Sequence, residues 1–161
     1  MTDAPTLYEQ DFVAWTEQQA EALRALSHAG MNQSLDWENL AEEVEDLGKS
    51  VRRELRNQLT RILHHLLKLQ YSAASDPRRG WRNSVREARS QIATMLKENP
   101  SLRNELGPLA SEQLAEAVKL ATADLDDYGE LRPSVRPLLV ASTFSVDQIV
   151  GDWFPVEPDS K

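Results

Sequence analysis

The sequence predicts an all-α protein: a helical bundle of about four main helices around one long helix, with an irregular C-terminal tail carrying a short helix. Three observations carry this. Glycine is sparse, with six in 161 residues. No stretch alternates apolar and polar residues in the way a half-buried strand does. Apolar residues instead recur at steps of three and four along most of the chain, which sets them on one face of a helix.

The first helix is expected over 7–28. Thr6 and Glu9 have capping-box spacing, Phe12, Trp15, Leu23 and Leu26 share a face, and Gly30 stops it. The second element is the most informative. Asp36 can cap its start, and the acids behind it suit the positive end of the helix dipole. Leu40, Val44, Leu47, Val51, Leu55, Leu59, Ile62, Leu66 and Leu69 then form one stripe whose phase passes Gly48 without resetting. This predicts a single helix over 36–71, although a mid-helix glycine costs about 1 kcal/mol relative to alanine. Such a helix is roughly 54 Å long. A compact chain of this length has a radius of gyration of ~15 Å, hence a diameter near ~40 Å. The helix must project, bend, or lie along a second copy, and a homodimer is the economical expectation.

Asp76, Pro77 and Gly80 break the chain before a third helix over 80–98, marked by Trp81, Val85, Ala88, Ile92 and Leu96 and ended by Pro100. Leu109, Leu114, Ala117, Val118, Ala121 and Leu125 give a fourth helix over 109–127, closed by Gly129. The tail, 130–161, carries four prolines and reads as irregular, except for a short helix at 146–151 where Ser145 and Gln148 have capping-box spacing. The whole chain, 1–161, is read as one domain.

Composition narrows the function classes. There is no cysteine, which excludes disulfides, thiolate metal sites and thiol nucleophiles. No apolar run approaches the ~18 residues of a membrane span, and the N-terminus has no signal pattern, so a cytoplasmic protein is expected. The net charge of −8 is a sum over unlike parts. Between Lys49 and Arg89 lie eleven basic and three acidic residues, a surplus of eight positive charges, so the remainder carries −16. Residues 36–46 hold six acids and no base. Acidic and basic segments packing on each other, within one chain or between two, is the preferred explanation. Nucleic-acid binding through Lys49–Arg89 is an alternative, weakened by the acidic remainder.

Projecting the long helix exposes a polar row beside its apolar stripe. Glu54, Gln58, Arg61, His65 and Lys68 follow steps of four and three, and Glu43 and Ser50 continue the row toward the N-terminus. The plain structural reading is rim pairing with a neighbouring helix. The functional one is a cleft of His65, Lys68, Glu43, Glu54 and Arg61, able to hold an anion or do acid–base work. His64 points to the other, solvated side. Metal spacing is poor: neither Glu-x-x-His nor His-x-x-x-His occurs. Glu43 and His65 lie roughly 33 Å apart on a continuous helix and could share an ion only across a dimer. No cofactor is expected, and a divalent metal enters only with that alternative. Phosphate loops and nucleophile elbows are absent. Trp81, in phase with Val85 and Ala88, reads as core.

These residues together resemble a bacterial family known as domain of unknown function 29. The likeness runs through Asp11-Phe12-x-x-Trp15, Asp36-Trp37-Glu38-Asn39-Leu40-x-Glu42-Glu43-Val44-Glu45-Asp46-Leu47-Gly48, His65-Leu66-Leu67-Lys68, Trp81-x-x-Ser84-Val85, Arg89-x-x-Ile92 and Pro100-Ser101-Leu102. It spans about 7–155 and departs most over 126–142. The resemblance implies a small all-α protein and marks Glu42, Glu43, Asp46, Gly48, His65, Lys68, Trp81 and Arg89. It supplies no activity. The expected role is therefore a non-catalytic interaction or self-association module with an unidentified protein partner. A metal-assisted or acid–base enzyme around His65, Glu43 and Lys68 is the second reading.

Overall fold

The structure, a computed structural model, describes residues 4–30 and 34–158. The extreme ends of the expected 1–161 domain, and the last three residues of the 130–161 tail, lie outside the described residues. Regular structure among the described residues is helical throughout, with no strand: α1 (Leu7–Gln10), α2 (Phe12–His28), α3 (Trp37–Tyr71), α4 (Arg78–Glu98), a 3-10 turn (Pro100–Glu105), α5 (Leu106–Asp127), α6 (Val135–Ala141) and α7 (Val146–Val150).

The long helix is continuous through Gly48, and its 35 residues span about 52 Å. Its start is held as expected, with Asp36 Oδ1 accepting from the Asn39 amide at 3.2 Å. At its far end the Arg78 guanidinium donates to the carbonyls of Leu69 (2.6 Å) and Ser72 (3.0 Å), partnering C-terminal oxygens that the helix itself leaves unpaired.

The expected single helix over 7–28 is two helices. Asp11 adopts an extended backbone, with φ −156° and ψ 96°, and becomes the N-cap of α2. Its carboxylate accepts from the Ala14 amide at 2.8 Å, the Ser101 amide at 2.7 Å and the Ser101 hydroxyl at 3.0 Å. Three acceptor contacts on one ionised group outweigh the single helical turn given up. The other helices match their expected spans to within a few residues, with α5 beginning at Leu106. In the tail α6 is an addition. Pro133 and Pro137 suggest irregular chain, but Pro137 is the third residue of α6, where no intrahelical bond needs its missing N–H.

The chain groups into two compact units. The first holds the chain up to Leu55 together with Thr94–Asn104; the second holds Arg56–Ala93 and the chain from Glu105 onward. In the first unit Val13, Ala20, Ala41, Leu55 and Leu102 are buried, and the Val13 amide donates to Asn99 Oδ1 at 2.9 Å. A Cβ at Gly48 would overlap Thr16 Oγ1, so glycine here permits a close crossing of α2 and α3. Leu40 and Leu47, expected in the core stripe, are instead 40% and 49% exposed.

The second unit carries the larger core, built from Leu59, Ile62, Leu63, Leu66 and Leu67 of α3, Val85 and Ile92 of α4, Leu125 of α5, and Leu139 and Ile149 of the tail helices. Arg89, buried, donates to the carbonyls of Ile149 (2.8 Å), Gln148 (2.8 Å) and Trp153 (2.6 Å) and so holds the tail. The Ser145–Gln148 capping box forms as expected.

Candidate functional site

The polar row of α3 has two different environments. In the second unit Gln58 and Lys68 are buried and Arg61 and His65 are half-buried. Lys68, 6% exposed, reaches Asp124 Oδ2 at 2.9 Å, and its ammonium lies 4.8 Å from the Trp81 ring centroid. His64 Nε2 meets the same carboxylate oxygen at 2.8 Å. His64 and Lys68 are one helical turn apart, so one acid on α5 can serve both. The partly buried His64 departs from its expected solvated position, because α5 supplies a carboxylate on that side. Arg61 pairs with Glu87 at 3.1 Å, and Gln58 donates to Gln91 at 2.8 Å.

Electrostatics set the protonation states. Burial would raise the Asp124 carboxyl, but the hydrogen bonds from Lys68 and His64 hold it below its ordinary value. Burial lowers His64, with the bond to Asp124 opposing it. Burial first, then the charge of Lys68 and the neighbouring His64 and Arg61, lower His65 from 6.5 to about 4. At neutral pH His65 is therefore uncharged. Its Nδ1 is buried and has no hydrogen-bond partner. The cluster holds one ionised acid against one ammonium and two neutral imidazoles, so its opposite charges engage each other. Trp81 is buried beneath the ammonium, as its phase predicts.

In the first unit the continuation of the row, Glu43, Ser50 and Glu54, is exposed, and Leu40 and Leu47 of the adjoining apolar stripe are exposed beside it. Leu47, Ser50, Val51 and Glu54 line a groove of about 580 Å³ completed by Tyr8, Glu9, Phe12, Met95, Glu98 and Asn99. Two of its lining residues, Tyr8 and Phe12, pack edge-on with ring centroids 5.8 Å apart. Three carboxylates and no lysine or arginine line it.

The predicted site residues thus separate by environment. His65, Lys68 and Arg61 lie in or beside the buried network, whereas Glu43 and Glu54 are exposed residues of the first unit. Asp124 is the carboxylate that meets Lys68. The sequence marks neither it nor His64 as a partner, since His64 reads as pointing to the solvated side and nothing in the spacing of α3 points to Asp124. Of the other residues marked by resemblance, Gly48 sits against Thr16, Asp46 pairs with Lys49 at 3.3 Å, and Glu42 is exposed. Among the described residues no group of three or more His, Cys, Asp or Glu side chains is placed to hold a metal ion, and no helix is long and apolar enough to cross a membrane.

The family model described as Domain of unknown function DUF29 matches residues 7–154. The chain is also similar to the crystal structure of an alpha-helical protein of unknown function from Rhodospirillum rubrum ATCC 11170. The two are 25% identical with a TM-score of 0.67, over 94% of this chain and 100% of that one. No curated protein matches.

Proposed function

Starting from the premise that this chain belongs to the DUF29 family, whose function is unassigned, we propose that it is a non-catalytic module that works by self-association through the exposed row of α3. One observation carries this reading: Leu40 and Leu47, in phase with a core stripe, stand 40% and 49% exposed, with Tyr8 a further 55% exposed at the adjoining groove. Exposed leucines at heptad spacing beside an aromatic groove are the material of a helix–helix interface. The buried network at Lys68 supports the non-catalytic half of the proposal, because its charges are engaged with one another rather than offered to a substrate. A bacterial setting belongs to the same proposal and draws on the Rhodospirillum rubrum source of the similar structure, and a cytoplasmic one is proposed with it.

Sedimentation at several concentrations tests it. The unsubstituted chain is expected to sediment as a dimer that dissociates on dilution. Leu47→Glu, which leaves the buried side of α3 untouched, is expected to weaken association at least tenfold while leaving the helical circular dichroism unchanged. A chain that stays monomeric up to high micromolar concentration would overturn the proposal.

A further inference from the structure

The groove of the first unit combines apolar surface with charge of one sign. Tyr8 of α1 lines it together with Glu9, Val51 of α3 with Glu54 a turn later, and Met95 of α4 with Glu98 a turn later. The three carboxylates stand on three different helices around a shared apolar space. They are not gathered at a point, and among the described residues no three acids or histidines are placed to hold a metal ion. Glu9 is fixed there and keeps its charge, because its carboxylate accepts from the neutral Thr6 amide at 2.8 Å. Of the uncharged polar lining, Asn99 is committed to the fold: its Oδ1 accepts from the Val13 amide and its Nδ2 donates to the Met95 carbonyl.

We propose that this groove is a binding site for a small amphiphilic organic cation, an ammonium or guanidinium head on an aromatic or aliphatic body. Its volume of about 580 Å³ lies within the range of small-molecule sites. An anion would meet three like charges with no lysine or arginine lining the groove to offset them. A neutral hydrocarbon would fill the apolar space but strip water from carboxylates and return no partner. A bare polyamine would satisfy the charge and leave Leu47, Val51 and Met95 unused. A cation with an apolar body answers both halves of the lining, and the rings of Tyr8 and Phe12 add surface that favours an ammonium.

Three ligands of one shape test this. Phenylpropylamine, phenylpropanol and phenylpropanoate carry a positive, a neutral and a negative head on the same body. The chain has three methionines and Met95 lines the groove, so methyl-labelled methionine gives few NMR signals, and Met95→Leu identifies the one that reports. Leu47 also belongs to the exposed row assigned to self-association, so the titration is run below the dimerisation range, and its result does not depend on whether the chain dimerises. The Met95 methyl is expected to shift with phenylpropylamine at an affinity about tenfold above that for phenylpropanol, a difference due to charge alone. Phenylpropanoate is expected to bind more weakly than either. Glu54→Gln and Glu98→Gln are each expected to weaken the amine about threefold and to leave the alcohol unchanged. Glu9→Gln should do the same with the α1 cap intact, since glutamine also closes a capping box. Raising NaCl from about 50 mM to about 500 mM should weaken the amine and spare the alcohol. Equal affinity for amine and alcohol would overturn the proposal, as would discrimination that survives all three glutamine substitutions. A Met95 methyl that responds to none of the three ligands would overturn the groove as a site altogether. A strict monomer would overturn self-association without touching this result.

Discussion

His65 is an imidazole half-buried on a helix, with one ring nitrogen buried and unpartnered. Every titratable or charged group set against it has a definite sign. Lys68, Arg61 and a protonated His64 oppose its charging, and Asp124 favours it. The unfolded chain takes up this proton near 6.5, whereas the folded chain delays until about 4. Between those values the unfolded state binds more protons, so stability falls as pH falls from 6.5 toward 4. His64 and Asp124 are lowered as well and act in the same direction, the acid at lower pH. The shift at His65, discounted for its partial exposure, corresponds to roughly 2 kcal/mol. Urea unfolding at pH 7 and pH 4.5 measures this, and His65→Leu is expected to flatten part of the slope without abolishing it. An unchanged slope would show that the histidine is not the group responsible. The sequence makes His65 and Lys68 conspicuous because they share an edge of α3. It hides Asp124 because a contact across 56 residues depends on how α5 is rotated, which periodicity within α3 does not specify.

At the scale of the element, Gly48 reverses an ordinary rule. Alanine in mid-helix gains about 1 kcal/mol of propensity over glycine. Here its methyl would meet Thr16 Oγ1, and that hydroxyl is tied to the Val13 carbonyl at 2.7 Å, so it cannot rotate away without losing the bond. Overpacking of this kind costs about 1–3 kcal/mol, which exceeds the propensity gain. Gly48→Ala is expected to lower stability by about 1 kcal/mol net, and Thr16→Ala in the same chain to recover most of it; thermal unfolding of the single and double variants reads the coupling. Helix α3 was legible because its nine-residue stripe keeps phase through the glycine, and α4 and α5 for the same reason. The break at Asp11 was not legible. What stops the helix there is Ser101, ninety residues later, whose amide and hydroxyl both bind the Asp11 carboxylate. The stripe also misplaced Leu40 and Leu47, since periodicity tells which face is apolar and not whether anything covers it.

At the scale of the whole molecule, the opposite charges of the sequence are spent largely against each other inside each unit. Arg52 meets Glu17 at 2.6 Å and Arg24 meets Glu45 at 2.9 Å in the first, while Lys68 meets Asp124 at 2.9 Å and Arg82 meets Glu157 at 2.8 Å in the second. Pairs with exposed members contribute about 0–1 kcal/mol each, so they set register more than stability. Stability follows the apolar core, and that is unevenly divided. Of the large side chains with almost no exposed surface, all but Leu55 and Leu102 belong to the second unit. A fully buried leucine or isoleucine contributes roughly 1.5–3 kcal/mol, and regions poor in such burial open first. Hydrogen exchange should therefore divide α3 within its own length: amides ahead of Leu55 are expected to exchange at least tenfold faster than those from Leu59 to Leu69. Self-association adds a concentration term to this contrast. Raising the protein above its dimerisation range is expected to slow exchange around Leu40 and Leu47 and to leave the stretch from Leu59 to Leu69 unchanged, because a partner that binds only the folded state suppresses the opening of the surface it covers. Slowing confined to the second half of α3 would place the interface elsewhere, and uniform exchange along the helix would mean that the two units open as one.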